Sequence, residues 1–294
     1  MSTPGALRAD TALVNGVRLH HRVGGDGPPV VLLHGWPGDH RDYREMVPRL
    51  SGVAEAVVPD LRGFGESDRH PEPPAEAYSA AAQARSVLAL LDELGLEDPV
   101  LVGYDIGSRV AQTVARTAAH RVRALVISPP VPGAGERVLS AEAQREFWYQ
   151  TFHRLELPER ILDGRPDAVR AYLEHFWSHW SGPGFAVDEA ELDRLAERYG
   201  RPGAFIASIG WYRARSAMVA SSLAESPPAR EERIAVPTTL LWPEHDPLFP
   251  PEWSDRIDHY FGRVKLERLP GSGHFTPLEA PDRLVAAVAA ALTP

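Results

Sequence analysis

The chain contains no cysteine. That absence excludes a disulfide framework, a thiolate nucleophile and any cysteine-based metal site. Basic residues are outnumbered, 31 Lys plus Arg against 40 Asp plus Glu, and they are scattered and nearly all arginine. A net charge of −9 with no basic stripe argues against nucleic acid as a partner, because a phosphate backbone has to be neutralised by grouped cations. No apolar run is long enough to cross a bilayer: the longest, Leu284 to Leu292, falls well short of the ~20 residues a span needs. Met1-Ser2-Thr3-Pro4-Gly5 shows no charged segment leading into an apolar one, so no signal peptide is expected and the cytoplasm is the expected location. Internal repeats and low-complexity tracts are also missing.

What is present is a chain of 294 residues, 44% hydrophobic, enough for a substantial core in one domain or in one domain with an insertion. The first part alternates strands with helices. Ala12 to Val14 and Val17 to Val23 read as a hairpin joined by Asn15-Gly16. Pro29 to Leu33 is a continuous apolar run, as in a strand buried on both faces. A short helix is expected over Asp42 to Leu50 and a strand over Ala54 to Pro59. Ser79 then caps a helix that stops at Gly95. Val100 to Val102 is the next strand, followed by a helix over Ser108 to Ala119 and a strand over Val122 to Ile127. This alternation predicts an α/β fold with a mostly parallel sheet flanked by helices.

At Ser128-Pro129-Pro130 the alternation stops. From Ser140 to about Leu223 there is no good strand, only amphipathic helices dense in aromatic residues, and Ser226-Pro227-Pro228 closes the stretch. Residues 1–131 and 229–294 are therefore expected to form one core, with 132–228 inserted as a helical cap. The core pattern resumes with the strand Val236 to Trp242, a helix near Trp253 to Phe261, the strand Val264 to Leu269 and a closing helix from Pro281.

Three loops at predicted strand ends carry groups that form a chemical unit. Gly103-Tyr104-Asp105-Ile106-Gly107 has the shape of a nucleophile elbow, a sharp strand-to-helix turn with an acid at its tip. Asp246 lies in Pro243-Glu244-His245-Asp246-Pro247, and His274 lies in Gly271-Ser272-Gly273-His274-Phe275. Open α/β sheets place ligands at this edge. Any one of the three alone is more often an ordinary loop residue. In this order, nucleophile, acid and histidine, they match a catalytic triad.

With His34-Gly35-Trp36-Pro37 and Asp60-Leu61-Arg62-Gly63-Phe64-Gly65-Glu66-Ser67 added, the chain resembles the α/β-hydrolase superfamily over almost its whole length. The elbow aspartate points to the branch of epoxide hydrolases and haloalkane or haloacid dehalogenases, and most to the epoxide hydrolases. The resemblance implies that Asp105 attacks an sp³ carbon to give an alkyl ester. His274 then activates the water that cleaves it, Asp246 orients His274, and the N–H groups of Trp36 and Ile106 receive the oxyanion. Phe147-Trp148-Tyr149-Gln150 and Gly210-Trp211-Tyr212-Arg213 resemble the cap segments that carry the paired tyrosines of epoxide hydrolases, and a phenol is what the alkoxide of an opened epoxide needs. Pro37, Gln150 and Phe275 are further candidates for lining the site. The expected reaction converts an apolar, bulky or aromatic epoxide to a vicinal diol.

Alternatives have their own signatures. Haloalkane dehalogenases commonly carry Trp after the nucleophile, where this chain has Ile106. Fluoroacetate dehalogenases have two arginines there and a cap His-Trp; here Ile106 replaces the first Arg, Arg109 matches the second, and Tyr149-Gln150 replaces His-Trp. Arg109 is therefore expected in a salt bridge rather than in a carboxylate clamp. A non-catalytic ligand-binding homologue is the reading from a different class. Glu244 competes with Asp246 as the orienting acid, and Ser128 occupies the acid position used by some relatives. His34 is expected to brace its loop. His175 and His179 stand four apart but lack a third ligand, so no metal is expected, and no cofactor. Expected partners are water and a small hydrophobic substrate, with the protein a monomer or homodimer.

Overall fold

The computed structural model describes residues 7–293, so the segment Met1 to Gly5 read above lies outside the described residues. The hairpin forms as β1 (Arg8–Val14) and β2 (Val17–Gly24), turning at Asn15 and Gly16, both at positive φ. It joins one eight-stranded sheet in the order β1-β2-β4-β3-β5-β6-β7-β8, with β3 (Pro29–Leu33), β4 (Glu55–Pro59), β5 (Val100–Gly103), β6 (Ala124–Ile127), β7 (Thr238–Pro243) and β8 (Val264–Leu269). Pairings from β4 across to β8 are parallel, and those of β1 with β2 and β2 with β4 are antiparallel. The central strands are apolar throughout because helices cover both faces: Val30 to Leu33, Val100 to Val102 and Leu125 to Ile127 are all buried.

The chain leaves β3 toward β4 on one side and returns to pair β5 on the other, so the sheet order reverses at β3. That switch opens a crevice above the carboxyl ends of β3 and β5. The segments holding Trp36 and Asp105 follow these two strands.

Three helices differ from the sequence expectation. Asp42 to Leu50 is split into a 3₁₀ turn, His40–Tyr43, and one α-turn, Val47–Leu50, whose second residue is proline, which cannot donate in a helix interior. The helix after β5 begins at Asp105 rather than Ser108 and ends at Thr117. Pro251–His259 is a 3₁₀ helix rather than an α-helix from Trp253 to Phe261. The Ser79 cap is as expected: its side chain accepts from Ala82 N–H at 3.2 Å, and the helix it starts runs over Ala80–Glu93. Between β6 and β7 the described elements are all helical, from Gly135 to Glu232, and the longest are Pro166–Trp180 and Glu189–Tyr199. Among the described residues no helix is long and apolar enough to cross a membrane.

Candidate active site

The elbow is built by close approach. Asp105 sits at φ +47°, a left-handed conformation that a non-glycine residue adopts at a cost, and it opens the helix Asp105–Thr117. Gly107 is required there: a Cβ on it would lie 1.9 Å from the carbonyl oxygen of Leu33 at the end of β3. Gly35 is required from the other side, since its Cβ would fall 2.6 Å from Cβ of Asp105. The backbone after β3 therefore lies directly against Asp105. Trp36 N–H donates to Asp105 Oδ1 at 2.7 Å. Ile106 N–H belongs to the first helical turn, whose donors have no intrahelical acceptor.

The other two groups converge on the same carboxylate. His274 Nδ1 donates to Asp246 Oδ2 at 2.8 Å, and His274 Nε2 lies 3.5 Å from Asp105 Oδ2. Leu248 N–H holds the second Asp246 oxygen at 2.9 Å. Glu244 is exposed and accepts only from Gly271 N–H, so Asp246 is the carboxylate bonded to the imidazole. Burial pulls the His274 pKa down, but the Asp246 and Asp105 carboxylates outweigh it and raise it to about 10. Both carboxylates favour the protonated ring.

Two braces that the sequence did not reveal fix these loops. The first is Glu279, which accepts from the N–H groups of Gly273, Phe275 and Gly182, so the His274 loop is tied to the segment that follows the helix Pro166–Trp180. His274 N–H also donates to Trp180 O at 2.7 Å. The second is Asp60, buried after β4, which accepts from His20 Nδ1, His40 Nδ1, His40 N–H and Glu66 N–H at 2.7–2.9 Å. Burial raises the Asp60 pKa, yet the donations from His20 and His40 outweigh it and hold the carboxyl below the usual range. Among the described residues these three are the ones grouped closely enough to hold a metal, their ligand atoms lying within 4.8 Å of one another. Gly182, His20 and His40 come from segments 20 to 97 residues away in sequence, which is why no spacing rule exposes these braces. His34 braces its loop as expected, donating from Nδ1 to Gly35 O and accepting Leu61 N–H at Nε2, both at 2.9 Å.

From the helical stretch between β6 and β7, Tyr149 and Tyr212 reach the same cavity as Asp105, with ring centroids 5.5 Å apart. Burial raises the pKa of both phenols, as does the negative charge of Asp105. Gln150 donates from Nε2 to the Tyr149 phenol oxygen at 3.3 Å and accepts Val219 N–H at 3.2 Å. The cavity has a volume of about 20 Å³, room for about one water, so an organic substrate enters only by displacing part of its wall. Apart from the two tyrosines, the aromatic side chains on that wall are Trp211 and Phe249. Trp36, Phe176 and Trp180 pack on one another and on Tyr149. The aromatic residues of this region thus divide between the cavity wall and a cluster of rings packed on one another. A larger groove of about 1180 Å³ lies at the opposite, amino-terminal ends of β6 to β8, away from these groups.

The remaining residues singled out by sequence fall as follows. Pro37 is buried, Phe275 is buried against Trp177 and His274, and neither lines the cavity beside Asp105. Trp36 donates its indole N–H to Ser208 at 3.3 Å. Arg109 forms a half-buried salt bridge with Glu225 and also lines the cavity. Ser128 accepts from the Thr276 hydroxyl. His175 and His179 stack at the surface, with His179 on Glu146 at 2.7 Å.

Comparison with known proteins agrees with this geometry. Residues 28–281 match the family described as alpha/beta hydrolase fold. The chain is 26% identical to bifunctional epoxide hydrolase 2 of Sus scrofa over 96% of its own length, spanning 54% of that longer protein. It is 28% identical to haloalkane dehalogenase 2 of Mycobacterium bovis, over 92% of this chain and 90% of the relative. Among solved structures, a Nostoc sp. PCC 7120 protein described as a putative alpha/beta hydrolase superposes with a TM-score of 0.86 at 26% identity, covering 99% of each chain. With the elbow, the ordered loops and the sheet topology, these matches show that the chain belongs to the α/β-hydrolase fold family, in the branch that holds epoxide hydrolases and haloalkane dehalogenases.

Proposed function

We propose that this protein is an epoxide hydrolase in which residues 132–228 act as the cap. The observation that carries the reading is the pair of buried phenols, Tyr149 and Tyr212, sharing one small cavity with the Asp105 carboxylate. Asp105 Oδ attacks an epoxide carbon, the C–O bond breaks, and the departing oxygen takes a proton from a tyrosine. The phenolate recovers that proton from the His274 imidazolium. The product of this half is an alkyl ester of Asp105, and of the two negative charges beside His274 only that of Asp246 remains. Neutral His274, oriented by Asp246, then removes a proton from water, which attacks the ester carbonyl. The tetrahedral oxyanion is met by Trp36 N–H, already on Asp105 Oδ1, and by Ile106 N–H. Such donors are typically worth roughly 10²–10³ in rate. On collapse the leaving oxygen takes the proton from His274 to complete a vicinal diol, and the Asp105 carboxylic acid returns a proton to His274.

The Trp36 indole N–H is engaged by Ser208 and so is not free to hold a halide, which favours this reading over dehalogenation. A single turnover in H₂¹⁸O tests it: label enters Asp105 if the ester forms, and label found only in the diol refutes the covalent route. In His274→Gln the ester should accumulate as added mass on the Asp105 peptide. A panel of epoxides and of haloalkanes and haloacids, read by diol and by halide, separates the two chemistries. Halide without diol makes it a dehalogenase, and tight binding without either product makes it a binding protein.

A further inference from the structure

The cavity has a polar feature that this mechanism does not use. Arg109 stands one helical turn beyond Asp105 on the same helix and lines the same cavity. Its Nη2 donates to Oε1 of Glu225, the residue that follows the helix Met218–Ala224, itself part of the cavity wall through Met218. The two side chains are 11% and 16% exposed. After they pair, Arg109 Nη1 and Glu225 Oε2 are both buried without a hydrogen-bond partner. Unpartnered buried polar atoms are uncommon in folded proteins, and here a donor and an acceptor are left over on one charge-neutral pair. The neighbouring wall is apolar, made by Ile106, Pro130 and Phe249.

We infer that the Arg109–Glu225 pair selects substrates carrying a neutral group that both accepts and donates a hydrogen bond, a hydroxyl or a carboxamide, near the reacting carbon. This rests on the reading of Asp105 as the nucleophile toward epoxides. Such a group satisfies a spare donor and a spare acceptor together. An alkyl group leaves both unpaired. A carboxylate only accepts: it can take the spare donor of Arg109 but leaves Glu225 Oε2 unpaired and meets that like charge. Residues four apart on a helix are separated by roughly 5–6 Å at Cβ, so the polar group belongs one or two bonds from the epoxide ring.

The test uses phenyl-substituted oxiranes bearing hydroxymethyl, ethyl or carboxylate on the second ring carbon. Wild-type kcat/KM should favour the hydroxymethyl compound about tenfold or more over the ethyl isostere, and further over the carboxylate, as discrimination by a hydrogen-bonding site commonly does. In Glu225→Gln the penalty on the carboxylate should shrink at least tenfold relative to the hydroxymethyl compound, whereas damage to packing alone would lower all three rates together. Arg109→Lys should narrow the preference for hydroxymethyl over ethyl. Rates within twofold of one another in wild type, or a preference for the carboxylate, would overturn the inference. If no oxirane yields diol, the reading of Asp105 fails instead. Calorimetric binding of the matching cyclopropanes, which cannot be opened, then decides: the hydroxymethyl compound bound tightest supports the pair's role, and equal or carboxylate-favouring affinities refute it.

Discussion

The proton on His274 is the most revealing quantity to perturb. Its pKa is raised to about 10 with two carboxylates beside it, Asp246 at 2.8 Å and Asp105 at 3.5 Å. A unit charge at the Asp105 distance, at an effective dielectric of about 20, contributes on the order of 5 kcal/mol. At about 1.4 kcal/mol per tenfold, that is roughly three powers of ten in the protonation constant. Asp105→Asn keeps the shape and removes the charge, and asparagine tolerates the positive φ. His274 should then titrate near 7 (an estimate of about 10 less about three). The variant imitates the charge state of the alkylated enzyme, so the same fall would make His274 a base only after the ester has formed.

Two assays report this. NMR titration of the histidine rings, with His274 assigned by its loss in His274→Gln, should show the shift directly. Stability against denaturant from pH 6 to 10 should show it by linkage. A histidine whose folded pKa lies above its unfolded value of 6.5 adds stability that is complete below 6.5 and is lost as pH rises toward the folded value, here about 10. Wild type should therefore lose stability across that window relative to Asp105→Asn, whose His274 contribution should be gone by about pH 7. A His274 that still titrates above 9 in the variant, or two parallel stability profiles, would refute the electrostatic argument.

Other outcomes follow from the same geometry. Tyr149→Phe and Tyr212→Phe should each slow ester formation in single-turnover experiments, and the double variant should lose about 10²–10⁴; an unchanged double variant would remove the phenols from the reaction. Gly107→Ala should yield little folded protein, because its Cβ meets the Leu33 carbonyl at 1.9 Å, so circular dichroism at wild-type intensity with an unchanged Tm would contradict the elbow packing. Asp60→Ala strands four donors and should cost ~3–5 kcal/mol in denaturant unfolding; a loss under ~1 kcal/mol would mean that the brace carries little of the loop's stability.

Much of this protein was legible in its sequence. Continuous apolar runs mark strands buried on both faces, the Asn15-Gly16 turn and the Ser79 cap act within a few residues, and proline-rich breaks at Ser128 and Ser226 interrupt the alternation. Glycines around Asp105 announce a place where backbones crowd, and the order of Asp105, Asp246 and His274 survives any detail of packing. All of these are local, or depend only on chain order. What only the tertiary structure decided involves partners that sequence distance does not constrain. The choice of Asp246 over Glu244 depended on which oxygen lies 2.8 Å from His274. The grip of Glu279 on Gly182, the two histidines on Asp60 and the meeting of Arg109 with Glu225 join residues brought together by the fold. Composition likewise does not say which aromatic rings line the cavity, as Tyr149, Trp211 and Tyr212 do, and which pack on other rings, as Phe176 and Trp180 do. Asp105 could be named from its turn, but the charge that sets its reactivity and that of His274 comes from neighbours that folding supplies.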